Sequence, residues 1–223
     1  MGAEASTVIL VPVLARPHRV APLLDAVWET TNEPHRVLFV VSRTDHVERR
    51  ELERLDAEHL VVDEVSYPAK INAGYRATSE PWLFLAADDI SPHVGWLTEA
   101  LRVAAETGAR VIGTNDLGNA RTVDGTHSTH SLVARAYADD PGATADHARE
   151  VLHEGYRHWY CDDELVSVAK ARGEWAHAGD AIVEHLHPYH GKAERDDVYT
   201  LGEANRHADG RLFRRRARIW RRW

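Results

Sequence analysis

The sequence predicts an α/β fold with a mostly parallel central sheet. Two observations carry that expectation. Short apolar, β-branched runs alternate with helical repeats through the first half of the chain, the pattern of strands joined by crossover helices. One of those runs, WLFLAADDI, ends directly in the adjacent carboxylates Asp88 and Asp89. Parallel sheets collect their ligands at the C-terminal ends of their strands.

The elements follow in order. Residues 8–13 are an apolar run closed by Arg16-Pro17, and read as the first strand. Val20, Leu23, Leu24, Val27 and Trp28 then recur at helical spacing. Residues 36–41 are the second strand, residues 48–58 a charged helix turning Leu52 and Leu55 inward, and residues 60–65 the third strand. A helix over 69–78 leads into the fourth strand, 82–87, and a helix over 96–105 into the fifth, 110–113. Residues 115–145 are rich in Asn, Asp, Gly, Thr and His and read as loops around one strand near 131–134. Residues 162–172 form a helix that opens in acids, which suit its N-terminus, and Gly173 ends it. A last strand is expected over 181–187, placing His185 and His187 on one face.

The chain has 223 residues with a formal charge of −8, enough to bury a core without covalent staples. Its single cysteine, Cys161, excludes an internal disulfide framework and a cysteine-based zinc site. A reducing compartment is expected, the cytoplasm of a bacterium or of an infected host cell. No apolar run reaches the length of a membrane span, and residues 8–13 are too short for a secretory leader. Neither GxGxxG nor GxxxxGK[ST] occurs, and there is no GxSxG elbow. His153-Glu154 with His158 superficially resembles HExxH, but at i, i+5 the two rings diverge by about 140° on a helix.

Three clusters could carry chemistry. Asp88 and Asp89 at a strand end form a hard-oxygen site for Mg²⁺ or Mn²⁺, or else cap the next element. Asp162, Asp163 and Glu164 open a helix, where an acid facing a cleft could act as a general base or simply complement the dipole. His185 and His187 could complete a metal shell.

Three separated segments, in this order, resemble the GT-A glycosyltransferases, specifically the large family 2. TVILVPVLARPHRVAPLLDAV resembles the family's first strand, nucleotide loop and first helix. AKINAGYRATSEPWLFLAADDISPHVGWL resembles its Lys-x-Asn-x-Gly helix and the strand ending in the Asp-x-Asp motif. CDDELVSVAKARG with VEHLHP resembles its acidic helix and C-terminal histidine, while VIGTNDLGN and GTHSTHSLVAR resemble small phage-encoded members.

The resemblance implies a GT-A fold, a nucleoside-diphosphate sugar donor, Mn²⁺ or Mg²⁺, and transfer to an acceptor hydroxyl with inversion. Pro12, Val13, Ala15, Arg16, Asp45, Lys70, Asn72 and Asp88 would meet the donor. Asp88, Asp89, His187 and His185 would supply metal ligands, and Asp162, with Asp163 as the alternative, the base. Asn115, Asp116, His127, His130 and Trp159 would lie on the side of the acceptor, which could be a protein, glycan, lipid or modified nucleobase. Ala86 stands where the family's first motif aspartate is usual. That departure keeps a non-catalytic sugar-nucleotide-binding module as a rival, beside a metal-dependent phosphohydrolase using the same carboxylates.

The resemblance divides the chain into a domain over 1–192, with a nucleotide half to about 114, and a helical extension over 193–223. Residues 211–223 hold seven arginines and no acid, leaving 20 basic against 35 acidic residues, or −15, elsewhere. Leu212, Phe213, Ile219, Trp220 and Trp223 fall at helical spacing among them. Three surfaces fit such a tail: the protein's own acidic body or a sister subunit, an anionic membrane surface, and nucleic acid.

Overall fold

The structure is a computed structural model that describes residues 6–223. The chain runs β1 (Thr7–Val13), α1 (Val20–Thr30), β2 (His35–Ser42), α2 (His46–Arg54), β3 (His59–Val62), α3 (Tyr67–Arg76), β4 (Trp82–Leu85) and β5 (Ile90–Pro92). It continues α4 (Trp96–Thr107), β6 (Val111–Asn115), α5 (Ala120–Val123), β7 (Ser131–Ala134), α6 (Arg135–Asp139), α7 (Cys161–Ala171), β8 (Trp175–His185) and α8 (Asp197–Trp220). The strands form one eight-stranded sheet in the order β3-β2-β1-β4-β7-β6-β8-β5. β1 to β4 are mutually parallel where they pair, β7 runs antiparallel between β4 and β6, and β8 is parallel to β6.

Both faces of the sheet are covered, as its apolar strands require. Ile9, Val11 and Val13 of β1 pack with Leu23 and Val27 of α1 and Trp96 of α4 in one layer. Val8 and Leu10 face the other layer with Ile71 and Tyr75 of α3 and Leu165 of α7. Gly74 lets α3 lie against the sheet, because a Cβ there would stand 2.8 Å from Leu10 Cδ2.

Several sequence expectations need correcting. Trp28 is 82% exposed, since it lies about 100° around α1 from the buried Val27. The last strand begins at Trp175 and stops at His185, so His187 lies beyond it, at the start of a one-turn 3₁₀ helix. β5 directly follows the paired aspartates, and its partner β8 lies far along the chain. The loop-rich region carries the short helices α5 and α6 beside β7.

The arginine-rich tail is the second half of α8. Leu212 and Phe213 pack beside Tyr160, while Ala217 and Trp220 pack with Ala145 and Val168. Between them Arg216 is 8% exposed and grips two acids of the body. Its Nε and Nη2 donate to Glu164 at 2.7 Å each, and Nη1 donates to Asp146 at 3.0 Å. Of the surfaces the tail could meet, the structure places its apolar stripe on the protein's own body.

Candidate active site

A cleft of about 700 Å³ opens at the C-terminal ends of β1, β2 and β4. Pro12, Val13, Ala15 and Arg16 line one wall, and Lys70, Asp45 and Asp88 lie close by. Asp162, His130 and Trp159 line the other side, and the first turns of α8 roof it.

The loop after β1 is held from three directions. Asp45 caps α2 by accepting from the Glu48 N–H at 3.1 Å, and its other oxygen accepts from the Ala15 N–H at 2.7 Å. Glu48, fully buried, accepts from the Arg16 N–H at 2.7 Å, and burial pushes its carboxyl up to about 7. Lys70 Nζ donates to the Val13 carbonyl at 2.7 Å. Burial pushes that ammonium down to about 8, against the pull of Asp45, Glu48 and Asp88.

The paired aspartates differ sharply. Asp88 Oδ1 accepts from Arg16 at 3.1 Å, and no described protein donor reaches its other oxygen. Burial, and then the neighbouring Asp89, push the Asp88 carboxyl up to about 7. Asp89 is also buried, but it accepts from the Tyr199 hydroxyl at 2.9 Å and faces His185 Nε2 at 3.4 Å. Burial opposes its ionisation, and His185, Tyr199 and Arg16 together outweigh burial, so Asp89 stays well below the usual carboxylate range. Ala86 is fully buried, and its side chain belongs to the core layer with Phe84 and Trp96, so charge on this floor rests on Asp88 and Asp89.

At the opposite wall Asp162 sits in the first turn of α7. His127, 2% exposed, brings Nε2 to 3.3 Å from Asp162 Oδ2. Burial would raise this carboxyl, but His127 and the backbone N–H groups of the helix start hold it below its ordinary value. Asp163 instead turns outward to Arg121 at 2.7 Å, and burial beside Asp162 raises it. The structure therefore separates the two candidate bases: only Asp162 lines the cleft.

Other candidates have their side chains engaged elsewhere. Asn72 does not meet the cleft. Its amide donates to the Leu152 carbonyl at 2.7 Å and its oxygen accepts from the Val151 and Leu152 N–H groups, clamping that segment. Asp116 is spent inside its own loop, accepting from the Gly118 and Asn119 N–H groups and from Thr122 and Thr129. Asn115 likewise bonds the Gly179 carbonyl and the Leu117 N–H. Among the acceptor-side candidates, His130 and Trp159 line the cleft, and His127 stands behind Asp162. His130 Nδ1 donates to the Leu85 carbonyl at 3.1 Å, and burial pushes the ring down to about 4.

The residues that sequence reasoning missed come mainly from α8. Asp196 caps that helix and accepts from Arg16 Nε and Nη2, both at 2.8 Å. Tyr199 lies under the Arg16 guanidinium, 3.9 Å from ring centre to Cζ, and its hydroxyl reaches Asp89. Asp209, 2% exposed, accepts from the N–H groups of Arg157, His158 and Trp159. It thereby fixes the turn at Tyr160, whose φ of +67° is left-handed, and so the start of α7. The only signal for these roles was the helix-starting Asp196-Asp197 pair.

The donor chemistry at the cleft floor fits a hard divalent cation. Asp88 offers an oxygen without a protein partner, and His187, also lining the cleft, leaves Nε2 uncommitted because Nδ1 accepts from the Tyr189 N–H. His185 is engaged with Asp89. The expected ligands Asp88, Asp89, His185 and His187 do not converge within 4.8 Å, unlike three other groups among the described residues. Arg16 sits on Asp88 in their place.

The architecture is that of the GT-A glycosyltransferases. No family model and no curated protein sequence matches the chain. Solved structures do. A mannosyltransferase from Pyrobaculum calidifontis, in complex with GDP-Man and Mn²⁺, superposes with a TM-score of 0.62 at 13% identity, over 82% of this chain and 57% of that one. Residues 1–349 of S. aureus TarS give 0.60 at 11% identity, over 80% and 59%. Glucosyl-3-phosphoglycerate synthase from Mycobacterium tuberculosis, with Mn²⁺ and UDP, gives 0.60 at 10% identity, over 90% and 76%. The chain thus spans less than three fifths of the first two structures.

Proposed function

We propose that this protein moves a sugar from a nucleoside-diphosphate sugar to an acceptor hydroxyl, using Mn²⁺ or Mg²⁺ and inverting the anomeric centre. The observation that carries the reading is that one cleft holds Asp88 and Lys70 on one side and a His127-backed Asp162 on the other. In this reading residues to about 114 hold the donor, 115–192 face the acceptor, and 193–223 close the cleft. Similar structures bind GDP-Man, UDP and UDP-GlcNAc.

Asp88 and His187 would hold the cation, which supplies Lewis-acid stabilisation for charge on the departing diphosphate. Lys70 and Arg16 add positive charge on that side, with Lys70 tied to the loop that lines the donor pocket. Asp162 accepts the proton of the attacking hydroxyl, and His127 fixes its orientation. The first turns of α8 line one side of the cleft, where they would limit the access of competing water to the reacting groups.

The test offers UDP-glucose, UDP-GlcNAc and GDP-mannose with Mn²⁺ and no acceptor. Slow donor hydrolysis is expected from one of them, with the inverted anomer appearing first by ¹H NMR. First appearance of the retained anomer would remove inversion, and absence of diphosphate release from all of them would favour the non-catalytic binding module.

A further inference from the structure

Outside the cleft lining, the 142–155 segment gathers a second set of ligating side chains. Asp146, His147 and His153 each bring a donor atom within 4.8 Å of the other two. His147 Nδ1 lies 3.0 Å from Asp146 Oδ1 and 3.7 Å from Glu150 Oε2. That Glu150 oxygen is buried and has no hydrogen-bond partner. The two imidazoles stand nearly parallel, 5.7 Å apart with 6° between their planes. None of these four residues lines the cleft.

The segment is built to hold this arrangement. The Ala143 N–H donates to the Glu150 carbonyl at 2.9 Å, closing the loop on itself. Thr144 Oγ1 accepts from the His147 N–H at 3.1 Å, and the Arg149 N–H donates to the Ala138 carbonyl at 2.9 Å. Asn72 fixes the Val151 and Leu152 end. Arg216 holds Asp146 from behind with both terminal nitrogens, as outer partners orient a ligating carboxylate. Its charge is already met by Glu164, so Asp146 and Glu150 leave the cluster with excess negative charge. His147 and Asp146 are half-exposed, which gives an ion a way in.

We propose that Asp146, His147 and His153 form a structural site for a Zn²⁺-class ion, with the neighbouring Glu150 drawn in as the fourth ligand. Two imidazole nitrogens with two carboxylate oxygens are a donor set that Zn²⁺ takes tetrahedrally. The ion ties the outer edge of the 142–155 segment to the Arg216 side of α8. It lies apart from any cation at Asp88, and the inference does not depend on the proposed reaction.

The test uses chelator-stripped protein and Zn²⁺ alone, with Co²⁺ as the spectroscopic probe. Wild type and Asp88→Asn are both expected to bind Zn²⁺ at this site and to show the intense visible bands of tetrahedral Co²⁺. Their Tm should rise by about 5–10 °C with Zn²⁺ at a hundredfold excess over Kd. The double variant His147→Asn with His153→Asn, at an exposed and a partly buried position, should fold as wild type in the absence of metal. It should lose the Co²⁺ bands, the Tm rise and at least about tenfold in affinity. Zn²⁺ affinity and Co²⁺ spectrum unchanged in the double variant, or no Zn²⁺ binding by wild type, would overturn the site.

Discussion

Asp162→Asn is expected to lower turnover by about 10²–10⁴-fold, the range by which a positioned base accelerates proton transfer. The substitution keeps the shape of the side chain and its oxygen toward His127, 3.3 Å away in the wild type, but removes the ability to take a proton. Metal-dependent binding of the nucleoside diphosphate should be kept, because Asp88 and Lys70 lie on the other side of the cleft. Asp163→Asn should leave turnover near wild type, since Asp163 faces Arg121. The wild-type pH profile carries a matching signature. A base loses activity as pH falls through its pKa, and His127 with the backbone N–H groups outweighs burial and holds Asp162 below its ordinary value, so any acidic limb it contributes should lie below the usual carboxylate range. Steady-state kinetics beside diphosphate titration checks the assignment. Wild-type turnover in Asp162→Asn removes Asp162 as base, and loss of diphosphate binding reassigns it to the donor.

The second large effect is on stability. Arg216→Ala is expected to cost about 3–5 kcal/mol, the penalty for breaking a buried ion pair and leaving one charge uncompensated. Glu164 is 2% exposed, and besides Arg216 it accepts only from the neutral Tyr156 hydroxyl at 2.8 Å and the Ala145 N–H at 3.5 Å. For a chain of this size the loss corresponds to a fall in Tm of about 6–20 °C. Replacing both partners by apolar residues of similar volume, Glu164→Leu with Arg216→Met, should recover most of the loss, because no charge then remains buried. Urea denaturation of the single and double variants measures this directly. A single variant within about 0.5 kcal/mol of wild type would mean that α8 does not rest on this pair.

What was legible in the sequence follows from how local each determinant is. The strands of the first half announce themselves because a sheet covered on both faces demands continuous apolar runs, as in Val8 to Val11. β5 has three residues, one of them Pro92, and exists only because β8 pairs with it. Asp88, Lys70 and Asp162 line one cleft because a strand end and helix starts aim at one edge of the sheet. Asn72, Asn115, Asp116 and Asp163 sit beside such positions, but their side chains turn to partners that chain order does not reveal. The α8 contributions were the least visible. Arg16 with Asp196 joins residues 180 apart, and Asp89 with Tyr199 joins residues 110 apart. The helical spacing of Leu212, Phe213 and Trp220 revealed an apolar stripe, while the surface it covers became apparent only from the packing against Ala145 and Val168.

The central claim is that a metal-assisted diphosphate site is built on Asp88. Calorimetric titration of UDP, GDP, dTDP, ADP and CDP, each with and without Mn²⁺, against wild type and Asp88→Asn tests it most directly. One diphosphate is expected to bind wild type only when Mn²⁺ is present, and Asp88→Asn should weaken that binding by more than about a hundredfold, beyond what loss of an outer partner costs. Failure of every diphosphate to bind with Mn²⁺ present, or equal binding by Asp88→Asn, would contradict it.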